Sequence, residues 1–277
     1  MASRIFDKLN LMNRNAWTSV AKTHVGNVRK INEDSYLDAP DVGLWCVADG
    51  MGGHQKGDTA STMIVDYLQS LLSVQDYPLS TGQIEERLIL VNQNLINLAQ
   101  RLPDSNVIGS TVAILLFADD LVHCLWAGDS RIYRLRNGQL KQLTRDHSQV
   151  EEMVQAGLLT SEEAAVHPAA NVITRAIGAS PELEIDLLSF ERFAGDRYLL
   201  CTDGLNKVMT DPEIADLMQQ NALPDLAEDM MQTALQRHAR DNITLVMVDV
   251  TQGVPELEQT GRLRDTLPLD DTLPLRR

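Results

Sequence analysis

Three apolar runs in this chain end on an aspartate set beside a glycine. Leu44 to Ala48 runs into Asp49-Gly50, Leu121 to Ala127 into Gly128-Asp129, and Arg197 to Thr202 into Asp203-Gly204. A fourth run, Ile243 to Val250, starts directly after Asp241-Asn242. Runs this short and this bulky read as buried strands. A carboxylate at the rim of a buried strand is costly unless positive charge meets it. Core packing does not call for four such placements. Lys and Arg are scarce around them, so divalent cations are the simplest compensation. All-oxygen ligands, with no His or Cys at coordinating spacing, favour Mg²⁺ or Mn²⁺ over Zn²⁺.

The segment around Asp49 adds a second hint. Three of the four residues after Asp49 are glycines. Without Cβ atoms, their backbone carbonyls can approach a ligand closely. That suits a hard cation or a phosphate, and a glycine-rich strand-to-helix turn capped by Asp49 fits the same residues. Two familiar phosphate loops are excluded by spacing. From Gly52 to Gly57 the P-loop frame needs Lys and then Ser or Thr, but Asp58 and Thr59 follow; the dinucleotide frame from Gly50 and Gly52 needs glycine at Gln55.

Around these points the chain alternates β-rich and helical stretches. Trp17 to Val25 and Ser35 to Leu37 read as strands, separated by the turn-rich segment 26–34, whose charges by themselves suit a solvated loop. Thr59 to Leu72 and Ile84 to Leu102 carry apolar residues at helical spacing, and core packing explains both stripes. Ser110 to Phe117 and Leu121 to Ala127 form a hairpin candidate. Asn137-Gly138 predicts a tight I′ hairpin between Ile132 to Leu135 and Leu140 to Leu143. Polar helical pieces broken by Gly157-Leu158 fill Asp146 to Ala165 and lead into loop through Asn171, as a mobile flap or a surface excursion. Strands follow at Leu183 to Phe190 and from Arg197, then helices from Thr210-Asp211-Pro212-Glu213 to Met218 and from Pro224 to His238.

The length of 277 residues accommodates one large domain or two small ones, and the hydrophobic fraction of 44% provides for a real core. A formal net charge of −15 argues against a nucleic-acid-binding face. Cys46, Cys124 and Cys201 are widely spaced in apolar runs and read as buried free thiols in a reducing compartment. No stretch reads as a signal peptide or a membrane span, so a soluble, cytoplasmic protein without membrane partners is expected.

Together the motifs form an ordered set. Gly26-x-x-Arg29-x-x-Asn32-Glu33-Asp34, Ala48-Asp49-Gly50-Met51-Gly52-Gly53, Gly109-Ser110-Thr111, Ala127-Gly128-Asp129-Ser130-Arg131, Cys201-Thr202-Asp203-Gly204 and Asp241-Asn242-Ile243-Thr244 follow one another across residues 17–250. In this set and order the chain resembles the type 2C, or PPM, metal-dependent protein Ser/Thr phosphatases in their bacterial stand-alone form. The resemblance implies an α+β fold, a four-layer α/β/β/α sandwich of two antiparallel sheets flanked by helices. It implies a catalytic domain over 15–252 with a flap at about 146–171, after an N-terminal arm at 1–14. It also implies phosphoserine/phosphothreonine hydrolysis by a metal-activated water, with no covalent intermediate, and phosphorylated proteins as partners, the substrates of an opposing Ser/Thr kinase.

Residue roles follow from the same resemblance. Asp49 would bridge two Mn²⁺ or Mg²⁺ ions, with the Gly50 carbonyl on one of them and Asp203 and Asp241 completing the pair. Asp129, with Asp203, matches a third, weaker metal position. Glu33 and Asp34 would hold metal-bound waters, Asn242 would support the site from behind, and Arg29 would grip the substrate phosphate, where a guanidinium fork fits better than a lysine. Eukaryotic members carry a His after Asp-Gly; Met51 stands here, as in the bacterial branch. His54 reads as structural or solvent-facing, so the general acid is unassigned. His167 in the flap would then reach substrate, although a loop histidine is usually just solvated. Alternatives are a catalytically silent phosphoprotein-binding adaptor and a small phosphate-ester hydrolase; every matched acid is present, against the first.

Residues 253–277 contain a direct repeat, Asp-Thr-Leu-Pro-Leu from Asp265 and again from Asp271. A disordered end is the simple expectation. The sharper one is a docking peptide whose Thr260, Thr266 and Thr272, once phosphorylated, meet an Arg-bearing phosphothreonine-reading module.

Overall fold

A computed structural model describes residues 16–52, 56–73, 78–102, 107–220 and 222–252. The N-terminal arm, His54 and the C-terminal repeat lie outside them. Two antiparallel sheets stack face to face. The first holds β1 (Trp17–His24), β11 (Ile243–Val250), β10 (Arg197–Cys201), β7 (Arg131–Arg136) and β8 (Gln139–Gln142), adjacent in that order. The second holds β2 (Asp34–Ala39), β3 (Leu44–Gly52), β5 (Val112–Ala118), β6 (Leu121–Ala127) and β9 (Asp186–Glu191), with β4 (Ile108–Ser110) pairing the far end of β3. Helices α1 (Gly57–Ser70) and α2 (Thr81–Gln100) cover the second sheet, and α5 (Asp203–Asn206), α6 (Asp211–Gln220) and α7 (Leu223–Gln236) cover the first. Short helices α3 (Gln149–Gln155) and α4 (Ser161–Ala165) lie between β8 and β9.

The continuous apolar runs have a simple cause: the central strands bury both faces. On β3, Leu44, Cys46 and Ala48 pack toward α1 and α2, while Trp45 and Val47 enter the layer between the sheets. On β11, Ile243, Leu245 and Met247 face α7, and Val246, Val248 and Val250 face inward. Trp17, Trp45 and Phe117 meet edge-to-face at the centre of that inner layer, with ring centroids 4.9–6.2 Å apart. All three cysteines are buried and free. Burial pushes the Cys201 thiol up to about 12, so it behaves as a small apolar side chain.

Local signals resolve as their chemistry directs. Asn137 and Gly138 both have positive φ, 50° and 75°, as a I′ turn requires. Ser80 caps α2 and Gln83 bonds back to it, a reciprocal capping box. Gly157, with φ 69°, separates α3 from α4. Several boundaries shift from the sequence reading, and two have a clear cause. β3 does not stop at Asp49: it runs on to Gly52, because β4 supplies a new partner, pairing Gly50 with Ser110 and Gly52 with Ile108. β9 begins at Asp186 rather than Leu183, where pairing with β6 starts at Trp126.

Trp45 is fully buried between the sheets and donates to Asp38 Oδ1 at 3.0 Å. Trp45→Ala is expected to cost about 3–5 kcal/mol in urea unfolding, and Trp45→Phe distinctly less. Equal losses would mean that ring volume is not what joins the sheets.

Candidate metal and phosphate site

The antiparallel order brings the acids to one edge. In the first sheet β11, β10 and β7 are neighbours. Asp241 precedes β11, Asp203 follows β10 and Asp129 precedes β7, so alternating strand directions set all three at the same end. In the second sheet Asp34 opens β2 and lies directly opposite Asp49 on β3. Like charges in opposite register repel, so this pairing is held by something else. Asp34 Oδ2 accepts hydroxyl hydrogen bonds from Thr202, just past the end of β10, at 2.9 Å and from Thr244, on β11 of the other sheet, at 2.7 Å. Its carboxylate therefore bridges the sheets where the acids gather.

The remaining motif residues fix backbone. Thr111 Oγ1 accepts from Asp49 N–H at 3.1 Å and shares a hydrogen bond with Ser130 Oγ at 2.8 Å, tying the Asp49 strand to the loop of Asp129. Ser110 Oγ donates to the Asp49 carbonyl at 2.9 Å. Asn242 is the clasp of the 25–33 loop. Its Nδ2 donates to the carbonyls of Val25 and Ile31, each at 3.0 Å, and its Oδ1 accepts from Glu33 N–H at 2.8 Å. The loop is thus fastened rather than merely solvated. Glu33 Oε1 accepts from Gly57 N–H at the start of α1, at 3.1 Å. Gly50 has a reason beyond ligand access: a Cβ there would meet the Gly57 carbonyl oxygen at 2.0 Å. At Gly204 it would meet the Asn242 carbonyl oxygen at 1.9 Å.

Gathering these acids raises their proton affinity. Burial first, then the charges of Asp34, Asp203, Asp129 and Asp241, hold Asp49 well above the usual carboxylate range. Burial and neighbouring acids push Asp34 up to about 7 against its two threonine hydrogen bonds. Burial, Asp203 and Asp146 push Asp129 to about 7, with Lys207 opposing. Two cations answer part of the charge, which corrects the reading that Lys and Arg are scarce here. Arg29 grips Asp241 with both forks, at 2.9 and 3.0 Å, and Lys207 pairs with Asp203 one helical turn away. The i,i+4 spacing of Asp203 and Lys207 was the available sequence signal.

Among the described residues, no three acid, imidazole or thiol side chains converge as a finished cation cage. The donor set nevertheless fits a hard divalent ion. Asp34 Oδ1 and Asp203 Oδ1 are buried without hydrogen-bond partners, an arrangement that calls for a cation. The acids are oxygen donors throughout, the chemistry of Mg²⁺ and Mn²⁺. His167 lies in a turn after α4, with Nδ1 accepting from Ala169 N–H at 3.2 Å. Met51 pairs with Gly109 in the β3–β4 ladder. Sequence reasoning passed over His147. Its Nδ1 accepts from Gly128 N–H at 3.1 Å and its Nε2 faces Asp186 Oδ2 at 3.2 Å, linking the Asp129 loop to β9.

Comparison with known proteins places this architecture. The sequence pattern of the family "Protein phosphatase 2C" matches residues 25–246, and the chain belongs to that metal-dependent family. Its domain is that of a protein serine/threonine phosphatase, a phosphoric monoester hydrolase. It is 36% identical over 231 residues to the serine/threonine protein phosphatase PstP of Mycobacterium tuberculosis, covering 83% of this chain and 44% of that protein. The chain thus spans less than half of that relative's length. The catalytic domain of PstP, solved with two manganese ions, superposes with a TM-score of 0.78 at 33% identity, over 85% of this chain and 99% of that one. Serine/threonine phosphatase stp of Listeria monocytogenes is 33% identical over 249 residues, covering 87% of this chain and 97% of its own. PppA, a key regulatory component of T6SS in Pseudomonas aeruginosa, has 40% identity and a TM-score of 0.75, over 84% of this chain and 97% of its own. No helix among the described residues is long and apolar enough to cross a membrane.

Two outcomes follow from the site. Asn242→Ala would strand three part-buried backbone groups and is expected to cost roughly 2–4 kcal/mol by denaturant titration. A change below 0.5 kcal/mol, within the ordinary surface range, would show that the loop is fastened elsewhere. The second concerns pH. Raised carboxyl pKa values mean that the folded chain keeps protons which the unfolded chain has lost. In chelator the cluster's contribution to stability therefore falls as pH rises from about 4 to about 7. A divalent ion favours the ionised acids, so the Tm gain from Mn²⁺ should grow between about pH 5 and pH 8. A gain independent of pH would mean that the ion binds elsewhere.

Proposed function

We propose that the chain hydrolyses phosphoserine and phosphothreonine in proteins at the acid-lined edge of its two sheets, in opposition to a Ser/Thr kinase in the cytoplasm. The observation that supports this most directly is the unpartnered pair of buried oxygens, Asp34 Oδ1 and Asp203 Oδ1, in a row of acids beside a forked arginine. Asp49, the Gly50 carbonyl, Asp203 and Asp241 would hold two Mn²⁺ or Mg²⁺ ions, and Asp129 a weaker third. Bound there, divalent ions supply charge neutralisation and a water acidic enough to act as nucleophile near neutral pH.

The chain's own groups do the rest. Arg29, about half exposed at its side chain, turns its planar fork from Asp241 to the phosphate oxygens. Asp34, held by Thr202 and Thr244, orients the attacking water with its free oxygen. Glu33 and Asn242 keep the arginine loop in register. Residues 146–171 serve as a flap beside the site, with His167 facing substrate. The threonines at 260, 266 and 272 would offer a phosphorylated partner-docking sequence.

The test is hydrolysis of a phosphothreonine peptide by the full chain with Mn²⁺, with EDTA, and after Asp203→Asn. EDTA should abolish turnover. Asp203→Asn should lower it by at least the ~10–100-fold typical of disturbing even the outer partners of a metal. Full activity in EDTA would overturn the reading.

A further inference from the structure

Lys207 stands out among the basic residues of the site because it pairs with Asp203, an acid that is itself nearly buried. It follows the single turn of α5, where its N–H donates to the Asp203 carbonyl at 3.0 Å. That turn carries its side chain back over Asp203, and its Nζ donates to Asp203 Oδ2. Besides Asp203, the charges of Asp129 and Asp241 act on the ammonium. Arg131, the other basic residue beside Asp129, is already occupied: it forks onto Asp146 with contacts of 2.7–3.0 Å and donates to Tyr133 Oη at 2.9 Å. Lys207 is thus the cation that answers the Asp129–Asp203 corner. Arg29 answers the opposite corner, at Asp241.

We propose that Lys207 is a built-in cation that occupies the Asp129–Asp203 corner of the site and keeps a divalent ion from binding tightly there. The inference rests on the metal centre proposed above. A tethered ammonium beside Asp203 contributes positive charge without loss of translational freedom, whereas a free ion must displace it. The Lys207 side chain is 38% exposed against 13% for Asp203, so the ammonium can swing outward while the carboxylate stays. The corner therefore opens to divalent ions only at high concentration, when Lys207 has been displaced. The Asp34–Asp49–Asp241 side lacks such a lysine among the described residues and takes its ions first.

The experiment counts ions rather than turnover. Mn²⁺ binding to the full chain is measured by calorimetry and by the electron paramagnetic resonance signal of free Mn²⁺, with folding checked by Tm. Lys207→Met should bind one more ion per chain than wild type, or bind its weakest ion about tenfold or more tightly. Lys207→Arg, which keeps the charge, should match wild type, and Lys207→Gln serves if the methionine variant does not fold. Adding Asp129→Asn to Lys207→Met should remove the extra ion. Identical stoichiometry and affinities in wild type, Lys207→Met and Lys207→Gln would overturn the inference while leaving the metal centre intact. No Mn²⁺ binding to wild type at all would instead refute the metal centre, and the role of Lys207 with it.

Discussion

The hydrogen bonds from Thr202 and Thr244 to Asp34 are the interaction on which the site most depends. They join the sheets at the edge where apolar packing gives way to the acid row. Elsewhere the sheets meet mainly through the apolar surfaces of Trp45, Trp126, Val246 and their neighbours, which are buried between them. At the acid edge hydrophobic contact cannot hold the layers, because Asp34 and Asp49 face each other there. Two hydroxyl donors on a single carboxylate oxygen provide direction and part of the charge compensation, and leave the other oxygen for a cation. The edge is therefore held in shape by the fold and left electrostatically incomplete.

Antiparallel topology explains why so few residues suffice. An acid before one strand and an acid after its neighbour arrive at the same end, so short motifs scattered over the chain become a single row. This also sets what was legible in sequence. The central strands could be read because burial on both faces writes them as unbroken apolar runs, as in Ile243 to Val250. Helices α1 and α2 could be read because each has one covered face. The acids could be read because charge at the end of such a run has no packing explanation.

What stayed hidden depends on pairs that are distant along the chain. Nothing near Asn242 announces that it will hold the carbonyls of Val25 and Ile31. Thr111 sits in a motif, yet its part in tying Asp49 to Ser130 is visible only when two strands lie side by side. The glycines beside the acids suggested ligand access; the closest neighbours of Gly50 and Gly204 are in fact backbone atoms of Gly57 and Asn242. The extension of β3 past Asp49 was hidden for the same reason, since only the arrival of β4 makes those residues a strand.

The two cations at the ends of the acid row differ in how readily they can leave. The Arg29–Asp241 pair is bidentate, yet its arginine is 51% exposed, and exposed pairs contribute on the order of 0–1 kcal/mol. Water can replace Asp241 as partner to the guanidinium at little cost, so the arginine is free to exchange one oxyanion for another. Lys207 sits against a carboxylate that is only 13% exposed, where removing the ammonium leaves a buried charge with an unpartnered oxygen. A half-exposed arginine fork and a lysine held against a nearly buried carboxylate suit the site proposed above, in which a phosphate arrives from outside. The first can follow an incoming anion, while the second keeps the acid row from repelling it.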